Sequence, residues 1–82
     1  MEEAARQFAT IADLAPENIK GLNNTATTYF LMEDYESAVK YYRRSLSVER
    51  NARALSNLAT SYFRKEMFAE AVPLYEEAVT LQ

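Results

Sequence analysis

The stretch LNNTATTYFLMEDYESAVKYYRRS, residues 22–45, returns as LSNLATSYFRKEMFAEAVPLYEEA, residues 55–78. Leu22, Asn24, Ala26, Thr27, Tyr29 and Phe30 meet Leu55, Asn57, Ala59, Thr60, Tyr62 and Phe63 at one constant offset. Tyr35, Ala38, Val39 and Tyr42 meet Phe68, Ala71, Val72 and Tyr75 at the same offset. A constant offset in this range marks an internal repeat, in which each copy is one supersecondary unit. Working backwards, Ala4 and Phe8 precede Ala38 and Tyr42 by one position more than that offset. The chain is therefore expected to begin inside an earlier copy and to hold about two and a half repeats.

Each copy reads as two helices. Leu22, Thr25, Ala26 and Tyr29 fall at i, i+3, i+4 and i+7, as do Leu55, Leu58, Ala59 and Tyr62, which puts each set on one helical face. In the second half of each copy Ala38, Tyr42 and Ser45 share a face, as do Ala71, Tyr75 and Ala78. Ala4, Phe8 and Ile11 form the expected stripe of the first helix. The spacing predicts helices over roughly 2–14, 18–31, 35–49, 52–65 and 68–81. Pro16 biases Ala15 away from helix and marks a break. Pro73 lies near the start of the last helix, where it predicts a mild kink rather than a break. Links of a few residues force consecutive helices to lie antiparallel. Ala26, Ala38, Ala59 and Ala71 let the two axes of a pair approach closely, and the aromatic rings fill the space around that contact. One such hairpin cannot bury both of its apolar faces, so the copies must stack. The expected fold is all-α: an α-α superhelix, or solenoid, of five helices. A single domain over 1–82 divides into a second helix at 1–15, a repeat at 18–50 and a repeat at 51–82.

These residues resemble the tetratricopeptide repeat. Leu22, Ala26, Tyr29, Tyr35, Ala38, Tyr42 and Ser45 follow its pattern, and Leu55, Leu58, Ala59, Tyr62, Phe68, Ala71, Tyr75 and Ala78 follow it again. Pro16 sits where that family places its terminal proline. The resemblance covers essentially the whole chain. Three positions depart from it. Thr25 replaces a leucine, Ser45 replaces an alanine, and Arg50 occupies the place of the second proline in a junction one residue short. The departures bear on the angle between the two repeats, not on the fold. A pentatricopeptide-type RNA-binding solenoid has a similar repeat length, but the net acidity and the paired tyrosines count against it.

Composition narrows the function. The chain has 82 residues, no Cys, no His and one Gly. Without Cys or His it lacks thiolate nucleophiles, the commonest general base and the commonest metal ligands. One glycine cannot build a phosphate loop. No catalytic residue, metal site or cofactor is therefore expected, and the chain reads as a non-enzyme. The net charge of −3 argues against nucleic-acid binding, which needs a basic footprint. No apolar run is long enough to span a membrane, and the acidic start Met1-Glu2-Glu3 lacks the form of a signal peptide. Both features favour the cytoplasm.

The resemblance implies a protein-interaction module whose first helices line a concave groove that touches bound peptides. In this chain those positions are Lys20, Asn23, Asn24 and Thr27 in the first copy, and Arg53, Ser56, Asn57, Thr60 and Arg64 in the second. Asn side chains both donate and accept, so they can hold an extended peptide backbone, while Arg and Lys pair with carboxylates. The fourth predicted helix carries Arg53, Arg64 and Lys65 and no acid, whereas the fifth carries Glu70, Glu76 and Glu77 and no base. The expected partner is a protein or peptide, with an acidic or C-terminal segment in the groove. The family's chaperone-tail binders use a Lys/Asn/Arg carboxylate clamp. Asn23 and Thr27 stand where its first Lys and Asn would be, so that function is not carried over. The seven aromatics at repeat positions (Phe8, Tyr29, Tyr35, Tyr42, Tyr62, Phe68 and Tyr75) are expected in the core. A structural alternative is assembly of copies through uncapped solenoid ends, because solenoids normally close on a polar helix.

Overall fold

The computed structural model describes residues 2–81. Five helices follow in order: α1 Glu2–Leu14, α2 Ile19–Leu31, α3 Tyr35–Val48, α4 Ala52–Arg64 and α5 Phe68–Leu81. Their ends fall within one residue of the periodicity reading. Pro73 lies inside α5 without ending it. Each helix packs on the next, and α2 also meets α4. Among the described residues the backbones of α1 and α3 do not come together, nor do those of α3 and α5. The helices thus form two layers, with α2 and α4 in one and α1, α3 and α5 in the other. Among the described residues the α2 and α4 backbones approach each other more closely than those of α1 and α3 or of α3 and α5. The fold is a helical-repeat solenoid of about two and a half units.

The core follows the repeat. Leu22, Ala26, Ala38, Tyr42, Leu55 and Ala59 are fully buried, so the small residues lie where the axes come together. Full burial of a leucine contributes about 1.5–3 kcal/mol.

Two expectations need correction. The buried side of α1 is Ala5 and Ala12, with Ala9 half-buried, while Ala4 is exposed, Phe8 is 37% exposed and Ile11 is 51% exposed. Ala5, Ala9 and Ala12 align with Ala38, Tyr42 and Ser45 at the very offset that relates Leu22 to Leu55. Matching Phe8 to the ring of Tyr42 shifts the first helix by one position. Close approach to α2 needs methyl-sized side chains, and the helical period then turns Phe8 and Ile11 outward. Ala5→Leu is accordingly expected to cost about 1–3 kcal/mol by overpacking. Ala4→Leu should stay within about 0.5 kcal/mol. Urea melts of the two variants distinguish the registers, and the reverse order contradicts the one described.

The second correction concerns the aromatics. Of the seven expected in the core only Tyr42 is fully buried. Tyr29, Tyr35 and Tyr62 are half-buried, and Phe8, Phe68 and Tyr75 are exposed. Tyr75 and Phe68 belong to α5, which among the described residues packs on α4 alone. Tyr41, off the repeat pattern, is 6% exposed and stacks on Tyr29 with ring centroids 5.7 Å apart.

Helix ends are specified by short polar contacts. Asn18, Asp34 and Asn51 cap α2, α3 and α4, each accepting from the backbone N–H at the third position on. Glu33 and Glu66, equivalent positions of the two repeats, both take φ of 61°. Asp34 N–H donates to the Tyr29 carbonyl and Met67 N–H to that of Tyr62. This left-handed closure reverses the chain between the helices of each repeat.

The departures from the repeat pattern carry their own bonds. Thr25 is fully buried, with its hydroxyl 2.8 Å from the Gly21 carbonyl and 2.9 Å from that of Phe8 on α1. Ser45, also buried, accepts from Asn51 Nδ2 at 3.1 Å, and Asn51 Oδ1 accepts from Asn23 Nδ2 at 3.2 Å. A polar network thus holds the shortened α3–α4 junction. Arg50 donates twice to the Glu77 carboxylate, at 2.6 and 2.9 Å. Those bonds hold the Glu77 carboxyl below its ordinary range. Arg44–Asp13 and Lys65–Glu36 add pairs at 3.2 Å across neighbouring repeats.

Candidate functional site

The α2–α4 layer carries the polar stripe. Asn24 and Thr27 on α2, with Arg53 and Asn57 on α4, gather around the hydroxyl of Tyr42, which α3 sends in from beneath. Tyr42 Oη lies 2.7 Å from Thr27 Oγ1. The Asn57 amide and the Arg53 guanidinium both favour the ionised phenol from nearby. Burial outweighs these contacts and pushes the phenol above its ordinary pKa, so it stays protonated. Arg53 Nη2 approaches Asn24 Oδ1 at 3.5 Å, linking the two helices.

The contact repeats one unit on. Thr60 Oγ1 lies 2.8 Å from Tyr75 Oη and donates its proton to the Ser56 carbonyl at 2.9 Å. Tyr75 is therefore the donor to Thr60. Reading these rings as core alone misses their hydroxyls. The signal is in the sequence: Thr27 and Thr60 repeat at the same offset as Tyr42 and Tyr75.

Other members of the stripe separate from this cluster. Asn23 is only 4% exposed and donates to the α4 cap, so it is a structural residue of the junction rather than part of an open surface. Among the described residues its Oδ1 has no hydrogen-bond partner. One step along a helix is about 100° around it, which turns Asn23 to the α3–α4 link while Asn24 stays on the open face. Lys20 is exposed in the first turn of α2, far along the helix from Thr27. Ser56 is half-buried. Arg64 closes the other end, its Nη1 3.4 Å from Tyr35 Oη and its guanidinium carbon 5.8 Å from the Phe30 ring centroid. Lys65 is drawn to Glu36. Among the described residues neither Arg53 nor Arg64 is in an ion pair.

The chemistry open to this face is reversible recognition. It offers amide donors and acceptors, hydroxyls and two cations. Among the described residues no group of three His, Cys, Asp or Glu could hold a metal ion. No described helix is long and apolar enough to cross a membrane.

The helix pairs that build this face are matched by family models. Two models described as tetratricopeptide repeat match residues 19–51 and 51–82. The chain belongs to the tetratricopeptide repeat family. No curated protein matches it. Tetratricopeptide repeats are generally non-catalytic modules for protein–protein interaction. In this tetratricopeptide chain the α2–α4 layer belongs to the first helices of the two matched repeats.

Proposed function

We propose that the α2–α4 face docks an acidic peptide, or the C-terminal segment of a partner protein, in a reversible and non-catalytic complex. The units doing so are the repeats 18–50 and 51–82. The observation that carries this reading is Arg53: a guanidinium without a carboxylate partner among the described residues, beside Asn24, Asn57 and the Thr27–Tyr42 hydroxyl pair. Asn24 and Asn57 can bond an extended backbone while Arg53 meets a carboxylate, a charge-assisted pairing. Lys20, Thr60 and Arg64 extend the surface at either side.

The test is a calorimetric titration with peptides from a random C-terminal library selected on the intact chain. Amidating the C-terminus and replacing acids by amides is expected to weaken binding at least about tenfold, the equivalent of one lost charged hydrogen bond. The Asn24→Ala/Arg53→Ala/Asn57→Ala variant should lose a similar factor. Equal affinity for acidic and neutral peptides removes the reading.

A second reading is association between copies through α5. It is favoured by Phe68 at 48%, Val72 at 55% and Val79 at 71% exposure, an apolar face that no helix covers among the described residues. Light scattering separates the two. A clean monomer at high concentration counts against association, and the Asn24/Arg53/Asn57 variant leaves association untouched.

A further inference from the structure

The side of the stack opposite the α2–α4 face has its own cavity. A groove of about 420 Å³ runs between α3 and α5 across the back of α4. Its floor is Leu46, Leu58, Tyr62 and Leu74, with Arg43 on the α3 wall and Glu70 on the α5 wall.

The preceding repeat reveals what this groove lacks. At the equivalent positions one repeat earlier, Tyr41 stands for Leu74 and Tyr29 for Tyr62. There the Tyr41 ring lies on Tyr29, with centroids 5.7 Å apart and planes 9° apart, and is 6% exposed. Arg44 and Lys40 sit against the same ring at 5.1 and 5.4 Å from its centroid. The later repeat has Leu74 in place of the ring, and Pro73 and Glu77 in place of the two cations. Glu77 is drawn away to Arg50. A leucine presents no planar face to Tyr62, and the space left over has no atoms to contact. The groove is the imprint of an aromatic ring that the first junction supplies from within.

Charge gives the rest of the occupant. Arg43 is exposed on the rim and, among the described residues, has no ion-pair partner. The other guanidinium at the groove, Arg50, is already held by Glu77. Each wall therefore keeps one ion unpaired among the described residues, Arg43 on α3 and Glu70 on α5, so an anion is met on the α3 side only.

We propose that this groove is a second binding site, which takes an aromatic side chain of a partner protein stacked on Tyr62, with an acidic neighbour of that residue held by Arg43. It is separate from the α2–α4 face and does not depend on it. Offset stacking on a tyrosine selects an aromatic over an aliphatic side chain, and a guanidinium beside it selects an acid.

The test uses the intact, isotope-labelled chain and the blocked peptide acetyl-Asp-Asp-Phe-amide, followed by amide chemical shifts. Shifts are expected at Leu46, Leu58, Tyr62 and Leu74, whether or not the acids also reach Asn24 and Asn57. Leu74→Tyr rebuilds the stack of the first junction. It is expected to raise the melting temperature and to weaken the peptide at least about tenfold. Arg43→Glu, at an exposed position, should weaken the same peptide and favour its Lys-Lys-Phe counterpart. Replacing Phe by Ala or Leu in the peptide should weaken or abolish the groove shifts. The proposal is overturned if Leu74→Tyr and Arg43→Glu both bind like the parent, or if the Leu peptide binds as well as the Phe peptide. It is equally overturned if the shifts gather at Asn24 and Asn57 and none appears in the groove. That last pattern supports the other face, so the two readings fail separately.

Discussion

Tyr42→Ala is expected to destabilise the chain by about 3–5 kcal/mol, the range for emptying a large aromatic site in a core. The change removes a fully buried ring and the hydroxyl that meets Thr27 at 2.7 Å. At the usual stability of about 0.05–0.15 kcal/mol per residue, a loss of that size takes about a quarter or more of the total. Each kcal/mol moves the melting temperature of a domain this small by about 4–8 °C, so the fall should exceed about 12 °C. Tyr75→Ala provides the contrast. It is the same position one repeat later, with the same hydroxyl contact to Thr60, yet Tyr75 is 36% exposed. Less area leaves water there, and the expected cost is about 1–2 kcal/mol. Thermal and urea melts of the two variants decide the matter; equal losses would show that burial does not differ between the repeats.

The second large effect is at the α3–α4 junction. Asn51 accepts from Ala54 N–H at 2.9 Å and from Asn23 Nδ2 at 3.2 Å, and donates to Ser45 Oγ and the Glu49 carbonyl. Asn51→Ala removes a helix cap, worth about 1 kcal/mol. It also strands the buried Asn23 amide, and an unsatisfied buried donor costs about 1–3 kcal/mol more. The expected loss is about 2–4 kcal/mol. Asn18→Ala removes a cap with one exposed bond, to Gly21 N–H, and should cost about 0.5–1 kcal/mol. Adding Asn23→Leu to Asn51→Ala should recover part of the loss, because the buried Asn23 amide is then no longer left unpaired. Similar costs for Asn18→Ala and Asn51→Ala, with no recovery in the double variant, would falsify the network account.

The proposed binding face is half legible in the sequence. Asn24, Thr27, Arg53, Asn57 and Thr60 follow from the helical period, because a residue's angle around a helix is a local property. Asn23 differs from Asn24 by one step of that period, and its burial depends on where the α3–α4 link passes. That is a tertiary fact. The tyrosine hydroxyls are hidden for another reason. A buried ring can use its Oη to hold a side chain of the face above it, so Tyr42 fills the core and supports the face together. The first helix is misread by one position because a partial repeat offers few residues to fix its offset. Phe8 draws the match as an aromatic, although close helix approach selects alanines.

The repeat that opens at Leu22 and returns at Leu55 determined the helices, their antiparallel order and the two-and-a-half-unit stack. Each of these rests on spacing along the chain, which sequence carries directly. Only the tertiary structure decided which equivalent residues differ. Tyr42 is buried and Tyr75 is not, because among the described residues α3 lies against α2 and α4 while α5 lies against α4 alone. Tyr41 fills its junction and Leu74 leaves a groove, because the same backbone receives a ring in one repeat and a leucine in the next. Periodicity sets the faces of a helix; what lies against each face sets burial.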